Sequence, residues 1–292
     1  MERLEDVITK TYGNDVRVIK RTPVSGGDIN SAYLLDLSDG TKVFMKSNRK
    51  SNADFFRAEA EGLTAIRQTG TARVPEVIAR GEDGNEAFLL LEYIASGARS
   101  RRSSEELGTD LGRMHLTETG SLVRGGLYGF TDDNYIGAGY QVNTPKDTWT
   151  EFFTECRLIP QFERAAAYFG GGERKAIDAF LNRVDRYLAE PERPSLLHGD
   201  LWGGNYMIDV QGHPWLIDPA VYVGHAEADL AMTELFGGFD RTFYDAYRST
   251  AGIDPDYRDR KDLYNLYHLL NHLNLFGGGY LYSVKSVISR YV

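Results

Sequence analysis

The dominant hydrophobic period of this chain changes near residue 95, from strand-like to mainly helical, and that change limits the folds open to it. Before it, "VRVIKRTPV" (16–24), "NSAYLLDL" (30–37) and "KVFMKS" (42–47) alternate in polarity and favour strands. Asp39-Gly40 is the turn signal between the last two. Residues 53 to about 69 have a helical period that Gly70 can stop, and "PEVIARG" and "EAFLLLEYI" return to strand. After 95, beyond the small-residue segment "ASGA", helical periods dominate. Ser103 and Glu106 read as a capping box for a helix through Leu107, Leu111 and Met114. Residues 120–147 read as loop, and helices are expected at about 148–168 and 173–189. Short strands follow at "SLLH", "YMID" and "PWLID", and helices broken at "GGF" and "GGG" complete the chain. The expectation is an α+β, bilobal architecture. A β-rich N-terminal lobe (1–94) made of an antiparallel sheet and one helix precedes a larger, mainly helical C-terminal lobe (95–292).

Within the second part, "HGDLWGGNYMID" (198–209) and "WLIDPA" (215–220) put oxygen-bearing side chains at Asp200, Asn205 and Asp218, all beside short apolar runs. Asp218 ends the second strand of a hairpin, so it returns towards Asn205. An Asp and an Asn brought together make a hard oxygen site suited to Mg²⁺. Asp200 is then free to accept a proton from a hydroxyl. The spacing parallels the kinase loop H-R-D-L-x-x-x-N, with Asp as base and Asn on the metal, although Asp218 is followed by Pro219-Ala220 and not Phe-Gly. His198 is expected to hold the loop by hydrogen bonds.

A nucleotide needs further partners. Lys46 shares a strand face with Phe44, and an inward Lys needs an anion. Glu59 lies on the stripe of Phe55, Leu63 and Ile66, whereas Glu61 points away, so Lys46 is paired with Glu59 and Lys42 is left solvated. Gly26 and Gly27 in "SGGDIN" let backbone amides approach phosphates. The backbone of Glu92, Tyr93 and Ile94 is placed to read an adenine edge. Asp229 in "EADLAM" caps a helix or braces the loop at 198–205. His268 and His272 have a zinc-like spacing, but Leu269 stands where H-E-x-x-H requires Glu, so core packing or capping is the reading. Arg99, Arg101 and Arg102 read as a solvated face.

Charge narrows the partners. The 33 basic and 42 acidic residues give a net charge of -9, which argues against nonspecific nucleic-acid binding and attraction to an anionic membrane. Cys156 is the only cysteine, no apolar stretch is long enough to span a bilayer, and "MERLEDVITK" lacks a signal-type apolar core. A cytoplasmic protein is expected. The sequence sets no oligomeric state.

Together, "LLHGDLWGGN", "LIDPAVYVGHAEADLAMTELFGGF", "DNYIG" and "WTEFFTECRLIPQF" resemble the fructosamine kinase (ketosamine 3-kinase) family, within the aminoglycoside phosphotransferase and protein-kinase-like fold. The resemblance runs from "SGGDINSAY" to the last helices. It implies ATP- and Mg²⁺-dependent phosphorylation of the sugar 3-hydroxyl of a glycated amine, after which the 3-phosphate eliminates and frees the amine. It implies Asp200 as base, Asn205 and Asp218 as metal ligands, Lys46 and Glu59 as the phosphate-holding pair, Gly26 and Gly27 as phosphate loop, and Trp202 at the acceptor site. Many relatives carry Cys beside the two glycines. Asp28 stands there in this chain, which puts a thiol switch in doubt. Three other readings compete: an aminoglycoside- or choline-type phosphotransferase, an ATP-binding pseudokinase without turnover, and, more distantly, a zinc hydrolase on His198 or His268 and His272.

Overall fold

Alternation in the first third is realised as a five-stranded antiparallel sheet in a computed structural model that describes residues 2–25 and 29–291. Its elements are α1 (Leu4–Tyr12), β1 (Val18–Val24), β2 (Ser31–Leu37), β3 (Lys42–Arg49), α2 (Ala53–Gln68), β4 (Val77–Asp83) and β5 (Glu86–Glu92), with strand order β1-β2-β3-β5-β4. Period-two side chains sort cleanly between its faces. Val43, Met45, Phe88 and Leu90 pack with Leu35 and Leu37 under α1. Ala87, Leu89 and Leu91 face α2 and join the main core. The helix α1 is absent from the sequence expectation. Its signal is the i, i+3, i+4 set Leu4, Val7 and Ile8, of which the last two are buried against the sheet.

The rest of the chain comprises α3 (Arg101–His115), β6 (Asn134–Ile136), β7 (Gly139–Gln141), α4 (Trp149–Phe152), α5 (Ile159–Arg164), α6 (Gly171–Leu181), β8 (Ser195–Leu197), β9 (Tyr206–Ile208), β10 (Pro214–Leu216), β11 (Tyr222–Gly224), α7 (Glu227–Leu235), α8 (Arg241–Ala251), α9 (Tyr257–Phe276) and α10 (Leu281–Ile288). Three details differ from expectation. The capping box of α3 uses Ser100 and not Ser103 as cap: Ser103 N donates to Ser100 Oγ at 3.1 Å and Ser100 N to Ser103 Oγ at 2.9 Å. Glu106 is thereby released to meet Arg73 at 2.6 Å and His213 at 2.9 Å. The expected loop at 120–147 contains the β6–β7 hairpin, and the helix expected at 148–168 passes through a π-helical turn at Phe153–Leu158. "ASGA" is tied down: Gly97 N donates to Ile208 O and Val210 N to Ala95 O. A Cβ at Gly97 would stand 2.1 Å from Asp209 O, so only glycine allows this contact.

His268 lies in the core on α9 and is 3% exposed, with its Nδ1 unpaired among the described residues. Burial pushes its pKa down to about 3, and burial likewise holds His225 at about 4. Between those values and the ordinary 6.5, these two histidines bind fewer protons in the folded chain than in the unfolded chain. Their contribution to stability therefore rises with pH through that window and is lost as pH falls below about 6.5. Each histidine is expected to remove about 2 kcal/mol between pH 7 and pH 5. Urea midpoints measured across that range check this: His268→Gln, which cannot take up the proton, flattens the slope by one histidine's share. An unchanged slope in the variant would assign the acid sensitivity elsewhere.

Candidate active site

Two loops carry the candidate site residues Asp200, Asn205 and Asp218, and backbone pins hold them side by side. The first, 198–205, joins β8 to β9, and the second, 217–221, joins β10 to β11. Because β9 pairs with β10 and β8 with β11, both loops must turn in the same place. Ile217 N donates to Asn205 O at 3.0 Å and Ala220 N to His198 O at 2.8 Å. His198 is fully buried, with Nε2 2.9 Å from Ile217 O and Nδ1 accepting from Asp200 N at 3.3 Å. A carbonyl can only accept, so Nε2 carries the proton. Burial depresses the imidazole's pKa and keeps it neutral. Its role as a loop anchor follows. At Gly199, φ is +80° and a Cβ would stand 2.0 Å from Ala220 O, so the crossing admits no other residue.

Asp229 on α7 completes the anchor. Its Oδ2 accepts from His198 N at 2.7 Å, its Oδ1 accepts from Gly199 N at 2.9 Å, and His115 Nε2 lies 3.2 Å from Oδ2. Burial works against its charge, but the His115 hydrogen bond and the nearby His115 and His198 rings hold the carboxyl below its ordinary range. Of the cap and the brace, the structure gives the brace.

These pins bring Asp200, Asn205 and Asp218 onto one cavity of about 950 Å³, which Lys46, Glu59 and Trp202 also line. Asn205 Nδ2 donates to Asp200 O at 2.8 Å and to Asp200 Oδ2 at 3.0 Å. The amide nitrogen is thus spent on Asp200, and Asn205 Oδ1 remains as an acceptor. Burial, with Asp218 and Asp229 adding to it, raises the Asp200 pKa well above the ordinary range, against the Asn205 hydrogen bond. Asp218 has φ 53°, the one left-handed non-glycine among the described residues. It forms the corner where the β10 ladder ends and the chain turns back towards β11, a conformation that Asp tolerates better than most residues.

Lys46 Nζ donates to Glu59 Oε1 at 2.7 Å and also contacts Asp218 Oδ1. Burial opposes its charge, but Asp218 and Glu59 outweigh it and hold the ammonium protonated. Glu59 is pushed upward by burial and by Asp218, against Lys46. Lys42 pairs with Asp36 at the surface. Phe56, not Phe55, is the buried start of the α2 stripe, while Phe55 lines the cavity one turn from Glu59. Glu92, Tyr93 and Ile94 line the same cavity. The Glu92 N–H is used inside the sheet, on Glu76 O at 2.9 Å. Ile94 lies beyond the last ladder pair, Val43 with Glu92, and its N–H has no backbone acceptor among the described residues. Gly26 and Gly27 lie outside the described residues, as does Asp28.

Three contributions escaped the sequence. Arg99 is exposed, as expected, but it also donates to Gly203 O at 2.9 Å and Gly238 O at 3.1 Å and lies 4.5 Å over the Tyr206 ring, clamping the loop. The β6–β7 hairpin ties both halves of the site together. Asn134 Nδ2 donates to Val221 O at 2.7 Å and Gln141 Nε2 to Ala220 O at 3.0 Å. On the other side, Tyr135 OH donates to Asp54 on α2 at 3.0 Å and its ring meets Phe55 at 4.4 Å. The third is His272, which packs at the cavity and not in the core as His268 does.

A zinc centre finds no support, since no cluster of three His, Cys, Asp or Glu able to hold a metal occurs among the described residues. No helix among them is long and apolar enough to cross a membrane.

A family model described as fructosamine kinase matches residues 1–292. A "probable ketoamine kinase" of Synechocystis is 40% identical over 284 residues, covering 97% of this chain and 94% of that protein. The chloroplastic protein-ribulosamine 3-kinase of Arabidopsis thaliana is 38% identical over 285 residues, covering 97% and 85%. Among solved structures, a candidate fructosamine-3-kinase from Haemophilus somnus superposes with TM-score 0.87 at 26% identity over 99% of this chain and 97% of that one. The aminoglycoside phosphotransferase APH(4)-Ia, crystallised with AMP-PNP and hygromycin B, gives TM-score 0.63 at 15% identity, covering 98% and 96%. That likeness carries the fold alone: α+β, as expected from the change of period at residue 95, and kinase-like, as the resemblance implied.

Proposed function

The chain belongs to the fructosamine kinase family and is a phosphotransferase, and from that premise we propose that it moves the γ-phosphoryl group of ATP to the 3-hydroxyl of a fructosamine- or ribulosamine-type glycated amine. The observation that supports this most directly is the convergence of Lys46, Asp200, Asn205 and Asp218 on one cavity. Residues 1–94 serve as the ATP-binding lobe, with Ile94 offering its N–H group to an adenine edge and Lys46, held by Glu59, facing the phosphates. Residues 95–292 serve as the catalytic and acceptor-binding lobe.

In this reading Asp200 takes the proton from the sugar hydroxyl as its oxygen attacks the γ-phosphorus in line and ADP leaves. Its raised pKa makes it a stronger base than a solvated carboxylate. The Asn205 amide fixes which way its carboxylate faces. Asn205 Oδ1 and Asp218 are the oxygen donors that would hold Mg²⁺, which supplies charge neutralisation at the phosphates. Most of the rate is then owed to positioning and electrostatics, as the pinned loops allow. The 3-phosphate so formed eliminates and releases the amine, so the role is deglycation.

Coupled ADP release tests this with fructosyl-lysine, ribulosyl-lysine and aminoglycosides as acceptors. The expected result is Mg²⁺-dependent ADP release with a ketosamine. Turnover confined to aminoglycosides would transfer the protein to the rival phosphotransferase class, and ATP binding with no acceptor-dependent turnover would make it a pseudokinase.

A further inference from the structure

The cavity has a third wall, away from both Lys46 and the 92–94 segment proposed for the nucleotide. Phe236, after α7, His272 and Phe276, at the end of α9, and Tyr280, before α10, all line it. Their rings gather about His272, with centroid separations of 4.7 Å to Phe236, 5.1 Å to Tyr280 and 5.4 Å to Phe276. Phe236 is 40% exposed, Phe276 57% and Trp202, on the same cavity, 40%. Large apolar rings left open around one concavity mark a binding surface. His272 Nδ1 lies 2.8 Å from His268 O, so it carries the proton and Nε2 is left as an acceptor. Lys46 is the one Lys or Arg lining the cavity among the described residues, and Glu59 and Asp218 already engage it.

We infer that Phe236, His272, Phe276 and Tyr280, with Trp202, form the subsite for the amine substituent of the acceptor, and that it takes a protonated secondary amine bearing an uncharged alkyl or aryl arm. This rests on the function proposed above. If the sugar hydroxyl meets Asp200, the amine lies two carbons along the sugar, and its substituent must run on into the remaining wall of the cavity. The rings suit both parts of such a group. Their faces attract an ammonium, and their area covers an apolar chain. Nε2 of His272 can accept an ammonium N–H. An anionic arm would find no free cation there.

The test compares two acceptors with the same sugar, one on methylamine and one on phenethylamine, in the parent enzyme, in Phe276→Ala and in Tyr282→Ala. Tyr282 is 83% exposed and does not line the cavity, so its loss controls for a missing surface ring. The parent is expected to have the lower KM for the phenethyl ketosamine. Phe276→Ala is expected to raise that KM relative to the methyl ketosamine by roughly tenfold, while Tyr282→Ala leaves the ratio as it was. Because Phe276 is exposed, the variant should fold; His272→Gln provides a second reading and should shift the ratio in the same direction. Transfer to both acceptors with a KM ratio that neither variant alters would overturn the subsite alone. Failure of the parent to phosphorylate either ketosamine would overturn the function it rests on.

Discussion

Asp200→Asn is expected to lower turnover by roughly three to four powers of ten while ATP affinity stays as it is. The substitution keeps the shape of the side chain and its place beside Asn205, whose amide lies 3.0 Å from Asp200 Oδ2. It removes the negative charge and with it the ability to take a proton. The nucleotide contacts proposed for Lys46 and the backbone at Ile94 do not involve residue 200. Single-turnover phosphoryl transfer, together with equilibrium titration of ATP, separates the two effects. Transfer by the variant at near the parent rate would remove Asp200 as the base, and loss of ATP binding in parallel would mean that the substitution had disturbed the loops.

Asp229→Ala acts by another route and is expected to cost about 3–5 kcal/mol of folding free energy. Truncation strips the buried His198 and Gly199 N–H groups of their acceptor and leaves His115, itself 1% exposed, without its anion. Those two N–H groups fix the start of the loop that carries Asp200, so turnover per folded molecule should also fall. Urea unfolding and kcat measured on the same preparation check both parts. Asp229→Asn, which retains the volume but only one acceptor oxygen, should lie between. Normal turnover in a destabilised Asp229→Ala would confine Asp229 to stability.

The residues nearest the proposed chemistry were legible because they sit in continuous sequence beside strong local signals. Asp200, Asn205 and Asp218 lie in turns between short apolar strands, and hairpin pairing makes their proximity a consequence of chain geometry. Lys46 and Glu59 were legible for a similar reason, since strand parity and helical stripe each fix a direction for the side chain. Residues that act across long separations were not. Arg99 reads as one of three exposed arginines until Gly203 and Gly238, more than a hundred positions on, are folded against it. Tyr135 and Gln141 lie in a stretch whose composition reads as loop, and their worth depends on α2 and the 219–221 strip arriving beside them. His268 and His272 differ in fate although four residues apart, because one faces the helix bundle and the other the cavity. The α1 helix was missed for want of a cap, as Arg3 makes no side-chain hydrogen bond there.

The backbone pins between the two loops have a consequence for how such a protein can diversify. The groups that would handle phosphate are fixed by main-chain bonds and by a crossing that only glycine permits at 199. Apart from Trp202, the rings assigned to the acceptor hang from helix ends and interhelical turns. Redesign for a new acceptor can therefore rebuild those ends freely, whereas a single inserted residue between 217 and 222 would break the crossing and disable every acceptor alike.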